Sequence, residues 1–283
     1  MIKVGINGFG RIGRMTARII LQDYQDKINL VCINTSGRID TTGWAHLFKY
    51  DTAYGRYDGK VSTANDQIII DGKKVPVLGE KEIEKIPWTK YGAEIVVEST
   101  GAFRKKEDAE KHLRGSVKKV ILSAPGKGGN IPMYIIGVNE DMMGNEKIIS
   151  CASCTTNCVA PVTKVIDENF GIAKALMSTI HAYTGDQRLL DGSHKDLRRA
   201  RSAAVNIVPT TTGAAKATGK VYPPVAGIFD GMAIRVPVIT GSLTDFSFVT
   251  KKKTTVEKVN QAFEKAARGK LEGILGITRE AVV

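Results

Sequence analysis

The sequence predicts two domains of the α/β class: a doubly wound parallel sheet, then an α+β domain with a mixed or antiparallel sheet. Three observations predict this. Short, β-branched apolar runs alternate with helical segments through the first half, as in strands buried on both faces of a parallel sheet. Glycines punctuate the turns between them, the pattern of a strand–helix–strand crossover. The second half has longer strand candidates after a single long helix.

In chain order, Val4 to Asn7 reads as a strand and Arg11 to Gln22 as a helix with apolar residues at Ile12, Met15, Ile19 and Ile20. Asn29 to Asn34 is the next strand, and Cys32 within it reads as core. Glu94 to Glu98 and Val117 to Ser123 follow as strands, with a charged helical segment from Lys105 to Leu113 between them. A helix is expected from about Thr155 to Asn169. Lys174 to Tyr183, Gly231 to Val238 and Ser242 to Val249 are the longer strands, the last two joined at Ile239-Thr240-Gly241. The domains are expected to span 1–150 and 151–283. The stretch from Gly185 to Thr212 is long, basic and weakly patterned, a length that points to function or an interface.

Composition narrows the function classes. With 283 residues, 42% of them hydrophobic and 25% charged, the chain is an ordinary globular one able to bury real cores. No apolar run approaches the roughly 18 residues of a spanning helix, and Met1-Ile2-Lys3-Val4 leads straight into a strand. No membrane partner and a cytoplasmic address are therefore expected. A net charge of +12 fits nucleic acid, anionic surfaces or phosphorylated small molecules. The densest basic cluster, Lys195, Arg198, Arg199 and Arg201, has no interleaved aromatics, which weighs against base stacking. Four cysteines in a chain this long do not form a disulfide framework. Cys151, Cys154 and Cys158 lack a second ligand pair at zinc spacing, so no metal is expected.

Gly8-Phe9-Gly10-Arg11-Ile12-Gly13 follows the first strand and opens a helix, the setting in which G-x-G-x-x-G signals a Rossmann dinucleotide cradle. Gly8 permits the tight turn, Gly10 the close approach of the pyrophosphate, and Gly13 close helix–strand packing. The second strand ends in Asn34-Thr35-Ser36-Gly37-Arg38, without the acid that usually holds a ribose 2′-hydroxyl. NADP is therefore expected to be accepted, and preferred, over NAD. The second signal is Ser153-Cys154-Thr155-Thr156-Asn157. A thiol just after a capping residue, at a helix start, is where backbone N–H groups and the helix dipole favour thiolate. His181 is the candidate base of a Cys/His pair. Thiol, base and dinucleotide cradle together suggest covalent oxidation of an aldehyde.

Five stretches, Gly5 to Arg14, Ser153 to Asn157, His181 to Thr184, Asp196 to Arg201 and Pro209 to Ala215, resemble phosphorylating glyceraldehyde-3-phosphate dehydrogenases in family order. The resemblance runs from Met1 to Val283. It implies that Cys154 attacks the aldehyde, that His181 moves protons, and that inorganic phosphate cleaves a thioester to 1,3-bisphosphoglycerate. It assigns Thr184 and Arg235 to the substrate phosphate. Ser153, Thr155, Thr212, Gly213 and Arg199 fall to the attacking phosphate and its surroundings. Arg11, Ile12, Lys81 and Ser123 match cofactor contacts, with Lys81 where arginine is usual and Thr35 where aspartate is usual. It also implies a homotetramer with the 185–212 loop near an interface, and a place in glycolysis and glucose metabolism.

Family members continue several dozen residues beyond Val283, so the sequence is expected to be C-terminally truncated. The absent part would carry a nicotinamide-contacting asparagine, late strand structure and a final helix. Two alternatives stand beside the main reading: an erythrose-4-phosphate dehydrogenase of the same mechanism, and a basic polyanion-binding protein inactivated by truncation.

Overall fold

The computed structural model describes residues 1–128 and 130–283. The chain divides into two compact units, one of residues 1–133 with 143–152, the other of residues 134–142 with 153–283. In the first unit, β1 (Ile2–Asn7), α1 (Arg11–Asp23) and β2 (Ile28–Asn34) form the opening crossover. There follow α2 (Thr41–Lys49), a two-stranded ribbon of β3 (Tyr50–Asp51) and β4 (Gly55–Arg56), and the meander β5 (Val61–Ala64), β6 (Gln67–Ile70), β7 (Lys73–Leu78). Then come α3 (Trp88–Tyr91), β8 (Ile95–Glu98), α4 (Lys106–Glu110), β9 (Lys119–Leu122) and β10 (Ile148–Ser150).

These strands build an eight-stranded sheet in the order β10-β9-β8-β1-β2-β7-β6-β5. Pairing is parallel from β10 to β7 and antiparallel where β6 and β5 fold onto the edge. Side chains alternate between two cores, as strand geometry requires. Ile6, Leu30 and Ile33 pack with Ala17 and Ile20 of α1 and with Phe48 of α2. Cys32, Val96 and Val120 pack with Trp88 and Ala109 on the other face. Burying a side chain such as Phe9, Phe48 or Trp88 contributes about 1.5–3 kcal/mol each. Cys32 is fully buried as expected, and burial pushes its thiol up to about 12.

Two local expectations are corrected. Of the apolar residues read in α1, Ile20 is buried but Ile12 and Ile19 are exposed, and Gly13, Ala17, Arg18 and Leu21 are the other buried residues. Small residues at Gly13 and Ala17 bring the helix close to the sheet, and that proximity outweighs counting large apolar residues. The expected Lys105–Leu113 helix shortens to Lys106–Glu110. His112 leaves the helix to be fully buried beside Trp88.

The second unit begins with α5 (Cys154–Phe170), capped by Ser153, whose side chain accepts a hydrogen bond from the Thr156 N–H. It continues with β11 (Ile172–Ala182), β12 (Val208–Thr211), α6 (Ala214–Val221), β13 (Phe229–Val236), β14 (Ser242–Thr250) and α7 (Val256–Ala267). The sheet order is β12-β13-β11-β14. β13 runs parallel to β11 and β14 antiparallel to it, so the expected mixed sheet is present. The turn at Ile239–Gly241 joins strands that flank β11 instead of pairing with each other. The core beneath is Val159 and Ile166 of α5 with Ala175, Met177, Ala214, Val225 and Phe229. Among the described residues, no helix is long and apolar enough to cross a membrane.

A Cβ added at Gly13 would fall on the Gly8 carbonyl oxygen, whereas one added at Gly10 meets nothing within 4 Å. Gly13→Ala should therefore cost about 1–3 kcal/mol, and Gly10→Ala should leave stability almost unchanged. Calorimetric unfolding of the two variants checks the contrast, with a midpoint lowered by several degrees expected for Gly13→Ala alone.

Candidate active site

In the first unit, the carboxyl ends of the central strands surround a cavity of about 570 Å3. This is where a doubly wound sheet binds its ligand. Gly8, Gly10, Thr35 and Lys81 line it, as do Arg38 and Ser36. The lining also includes Phe9, Trp44, Glu80, Ser99, Thr100 and Phe103, which the sequence did not single out. Among the residues expected to bind cofactor, Arg11, Ile12, Asn34 and Ser123 lie outside the lining. Asn34 is buried behind it.

The cavity fits a dinucleotide pyrophosphate. Gly8 sits at φ +95°, and a Cβ there would come within 2.7 Å of the Thr100 backbone nitrogen. Gly10 has open space in front of it and caps α1 with no side-chain hydrogen bond, so the first-turn N–H groups of that helix remain available to an anion. No acidic residue sits in the first turn. At the 2′-hydroxyl end, Thr35 replaces the usual acid, but its hydroxyl already donates to the Leu78 carbonyl and accepts from the Gly37 N–H. Arg38 and Lys81 are the cations that line the cavity.

In the second unit, Cys154 opens α5 and His181 lies near the end of β11. The sulfur is 3.3 Å from His181 Nε2. His181 Nδ1 lies 2.7 Å from the Ala182 carbonyl oxygen. Donating a proton there leaves the Nε2 lone pair facing the thiol. The hydrogen bond with His181 is the main pull bringing the Cys154 thiol down to about 7, against burial, with Thr155 adding to it. The same bond raises His181 from its ordinary value. Burial alone pushes Cys151 up, and burial dominates at Cys158 as well. Only one of the three clustered thiols is activated.

Register accounts for the next residue. His181 and Arg235 are paired neighbours on β11 and β13. Arg235 Nη1 reaches within 3.1 Å of His181 Nδ1 and donates to the Ala182 carbonyl at 3.2 Å. Burial, and after it the field of Arg199, pull Arg235 below the usual arginine range. Its Nε is buried and finds no partner among the described residues. Two guanidinium groups that sense each other, one with an orphaned donor, are a ready site for an oxyanion. Arg199 is itself engaged, donating to Asp186 at 2.8 Å, to the Thr210 hydroxyl at 2.9 Å and to the Thr211 carbonyl at 3.2 Å. Asp186 carried no sequence signal.

Ser153 caps α5, and Thr155 is buried beside the sulfur, its hydroxyl 3.9 Å from Sγ. The Thr184 N–H donates to Gln187 Oε1 at 3.3 Å. Thr212 and Gly213 follow β12 and lead into α6, with the Thr212 hydroxyl accepting from the Ala214 N–H.

The pair sets a pH dependence. Thiolate grows as pH rises through about 7, because His181 holds Cys154 below its ordinary 9.0. Replacing His181 with asparagine removes that pull and moves the midpoint upward. Alkylation by iodoacetamide should slow roughly tenfold or more at neutral pH, and approach the wild-type rate in strongly alkaline buffer. Rate profiles against pH read both limbs.

Comparison with known proteins identifies the family. The family model described as glyceraldehyde 3-phosphate dehydrogenase, NAD binding domain, matches residues 2–106, and the C-terminal domain model of the same family matches residues 153–283. The chain is 55% identical over 285 residues to a glyceraldehyde-3-phosphate dehydrogenase of Streptomyces coelicolor, covering 100% of this chain and 84% of that protein. It is 51% identical over 284 residues to one of Thermotoga maritima, at 100% and 84% coverage. It is 50% identical over 284 residues to glyceraldehyde-3-phosphate dehydrogenase 2 of Bacillus subtilis, at 100% and 82%. With both domain models matched and half of its residues shared with such enzymes along its whole length, the chain belongs to the glyceraldehyde-3-phosphate dehydrogenase family.

Proposed function

We propose that the chain oxidises glyceraldehyde 3-phosphate and phosphorylates it to 1,3-bisphosphoglycerate, using NAD(P). The observation that carries this reading is the Cys154 sulfur 3.3 Å from His181 Nε2 at a helix start, with Arg235 behind the imidazole. Cys154 gives its proton to His181 and its sulfur attacks the aldehyde carbon, forming a thiohemiacetal. The developing oxyanion is stabilised by His181 and by the N–H groups at the start of α5. Bound NAD(P) supplies the hydride acceptor. His181 returns its proton to that oxyanion, and takes it back from the hydroxyl as the thiohemiacetal becomes a thioester. Phosphate oxygen then attacks the thioester carbon, the carbon–sulfur bond breaks, and the thiolate is restored.

The phosphate assignments follow the charge. Arg235 and Thr184 hold the substrate phosphate in this reading, and Ser153, Thr155, Thr212, Gly213 and Arg199 surround the attacking one. Arg199 exchanges its bond to Asp186 for phosphate. Residues 1–150 serve as the cofactor domain and 151–283 as the catalytic domain. NADP is accepted, and preferred, because Thr35 brings no charge against a 2′-phosphate and Arg38 offers a positive one. A cytoplasmic homotetramer completes the reading. Its support is the 185–212 loop, where Leu189, Leu190, Leu197, Val205 and Ile207 are all exposed, an apolar face of the kind that subunits cover.

Mixing enzyme with aldehyde, phosphate and NADP or NAD tests the chemistry. Reduced cofactor should appear with both dinucleotides, with the larger kcat/KM for NADP. Cys154→Ser should abolish this while keeping the wild-type unfolding midpoint; residual turnover near the wild-type rate would refute the assignment. Thr35→Asp should raise the KM for NADP roughly tenfold or more by juxtaposing like charges, and change that for NAD far less.

A further inference from the structure

Behind the cofactor cavity, within the first unit, a line of buried polar side chains runs across the ends of three strands. The Trp88 indole N–H donates to His112 Nδ1 at 3.1 Å. Because an indole nitrogen only donates, His112 carries its proton on Nε2, which lies 3.1 Å from Glu98 Oε2. From the other direction, the Glu80 backbone N–H donates to Asn34 Oδ1 at 2.9 Å, and Asn34 Nδ2 donates to Asn7 Oδ1 at 2.8 Å. Asn7 Nδ2 then donates to Glu98 Oε2 at 2.5 Å. Thr100 closes the set, its N–H and hydroxyl both donating to Glu98 Oε1. Asn7, Asn34, Glu98, His112 and Trp88 are each at least 97% buried.

Apart from the second Asn34 amide hydrogen, which goes to the Glu80 carbonyl, the donors in this line point toward one carboxylate. That polarity dictates which way each amide faces, and such chains strengthen cooperatively when fully satisfied. Its visible ends are the parts of the cavity wall that the proposed cofactor touches. Glu98 holds Thr100, whose backbone closes on Gly8. Asn34 grips the Glu80 backbone through both its N–H and its carbonyl, beside Lys81. Asn7 ties the two together from the end of β1.

We propose that Glu98, with His112 and Trp88 behind it, is the positioning device for the dinucleotide: the carboxylate orients the Asn7–Asn34 pair and thereby sets the Gly8–Thr100 and Glu80–Lys81 walls of the cofactor cavity. This rests on the cofactor reading given above. Glu98 and His112 act through other residues and touch no substrate. In Glu98→Gln, one half of the new amide presents N–H groups to two of the donors, and only the other half still accepts. Trp88→Phe keeps a ring in the core but frees His112 Nδ1, so the Nε2 proton facing Glu98 is no longer assured.

Calorimetric titration with NAD and with NADP tests this, alongside steady-state kinetics and imidazole 15N spectra. Glu98→Gln should raise both dissociation constants about tenfold, the cost of leaving buried donors unpaired. Trp88→Phe, whose ring lies away from the cavity, should raise them about threefold and shift the His112 nitrogen signals. In both, kcat at saturating cofactor and the KM for aldehyde should stay within about twofold of wild type. A lowered unfolding midpoint with unchanged dissociation constants would overturn the proposal, since it marks a merely structural network. If Glu98→Gln does not fold, Trp88→Phe decides alone. A wild-type chain that binds neither dinucleotide would overturn the cofactor reading and this inference with it.

Discussion

The chemistry proposed for this chain depends on one contact, the hydrogen bond between a cysteine at the start of a helix and a histidine near the end of a strand. Each partner alone is ordinary. Cys154 without His181 would be a thiol half-covered by protein, and burial would push it upward as it does Cys151. His181 without the sulfur would be an imidazole beside a buried arginine. Together they make a thiolate available near neutral pH. The rest of the second unit keeps the two atoms in reach. Ser153 fixes where α5 begins, and β11 carries His181 between β13 and β14.

The two units present different kinds of groups to an anion. The first offers backbone: a glycine turn, an uncapped helix start and few charges. The second offers guanidinium groups, Arg199 and Arg235, positioned close enough for each to be felt by the other. Backbone N–H groups suit a ligand held in one place throughout catalysis. Arginines that exchange partners suit phosphates that must enter and leave. The carboxylates of Asp186 and Asp196 flank Arg199. They keep a partly buried cation from standing unpaired, at the cost of competing with an incoming anion.

Local signals were legible in the chain. The glycine turn after β1 reads directly, because close backbone approach admits only glycine at Gly8 and Gly13. The cysteine at a helix start also reads directly, because capping is decided within four residues. The face of α1 does not, since its closeness to the sheet comes from what it lacks at Gly13 and Ala17. The β5–β7 meander is hidden as well. Its strands are short, and Pro76 within β7 argues against a strand until pairing with β6 supplies the context. The Glu80 wall of the cavity and Asp186, one of the carboxylate partners of Arg199, carry no motif at all.

By itself, the sequence showed the opening strand–helix–strand turn, the central parallel strands, the helix at Cys154, the three longer strands of the second unit, a candidate thiol and base, and the resemblance to the family. These follow from short-range rules, in which a few adjacent residues decide a turn, a cap or a strand. Tertiary structure alone decided which polar groups meet. Asn7 reaches Glu98 and Asn34 only because parallel strands bring their carboxyl ends side by side. Arg235 finds His181 only through the register of β11 with β13. Hydrogen bonds and fields act across a few ångströms of space, whatever the number of residues between the partners.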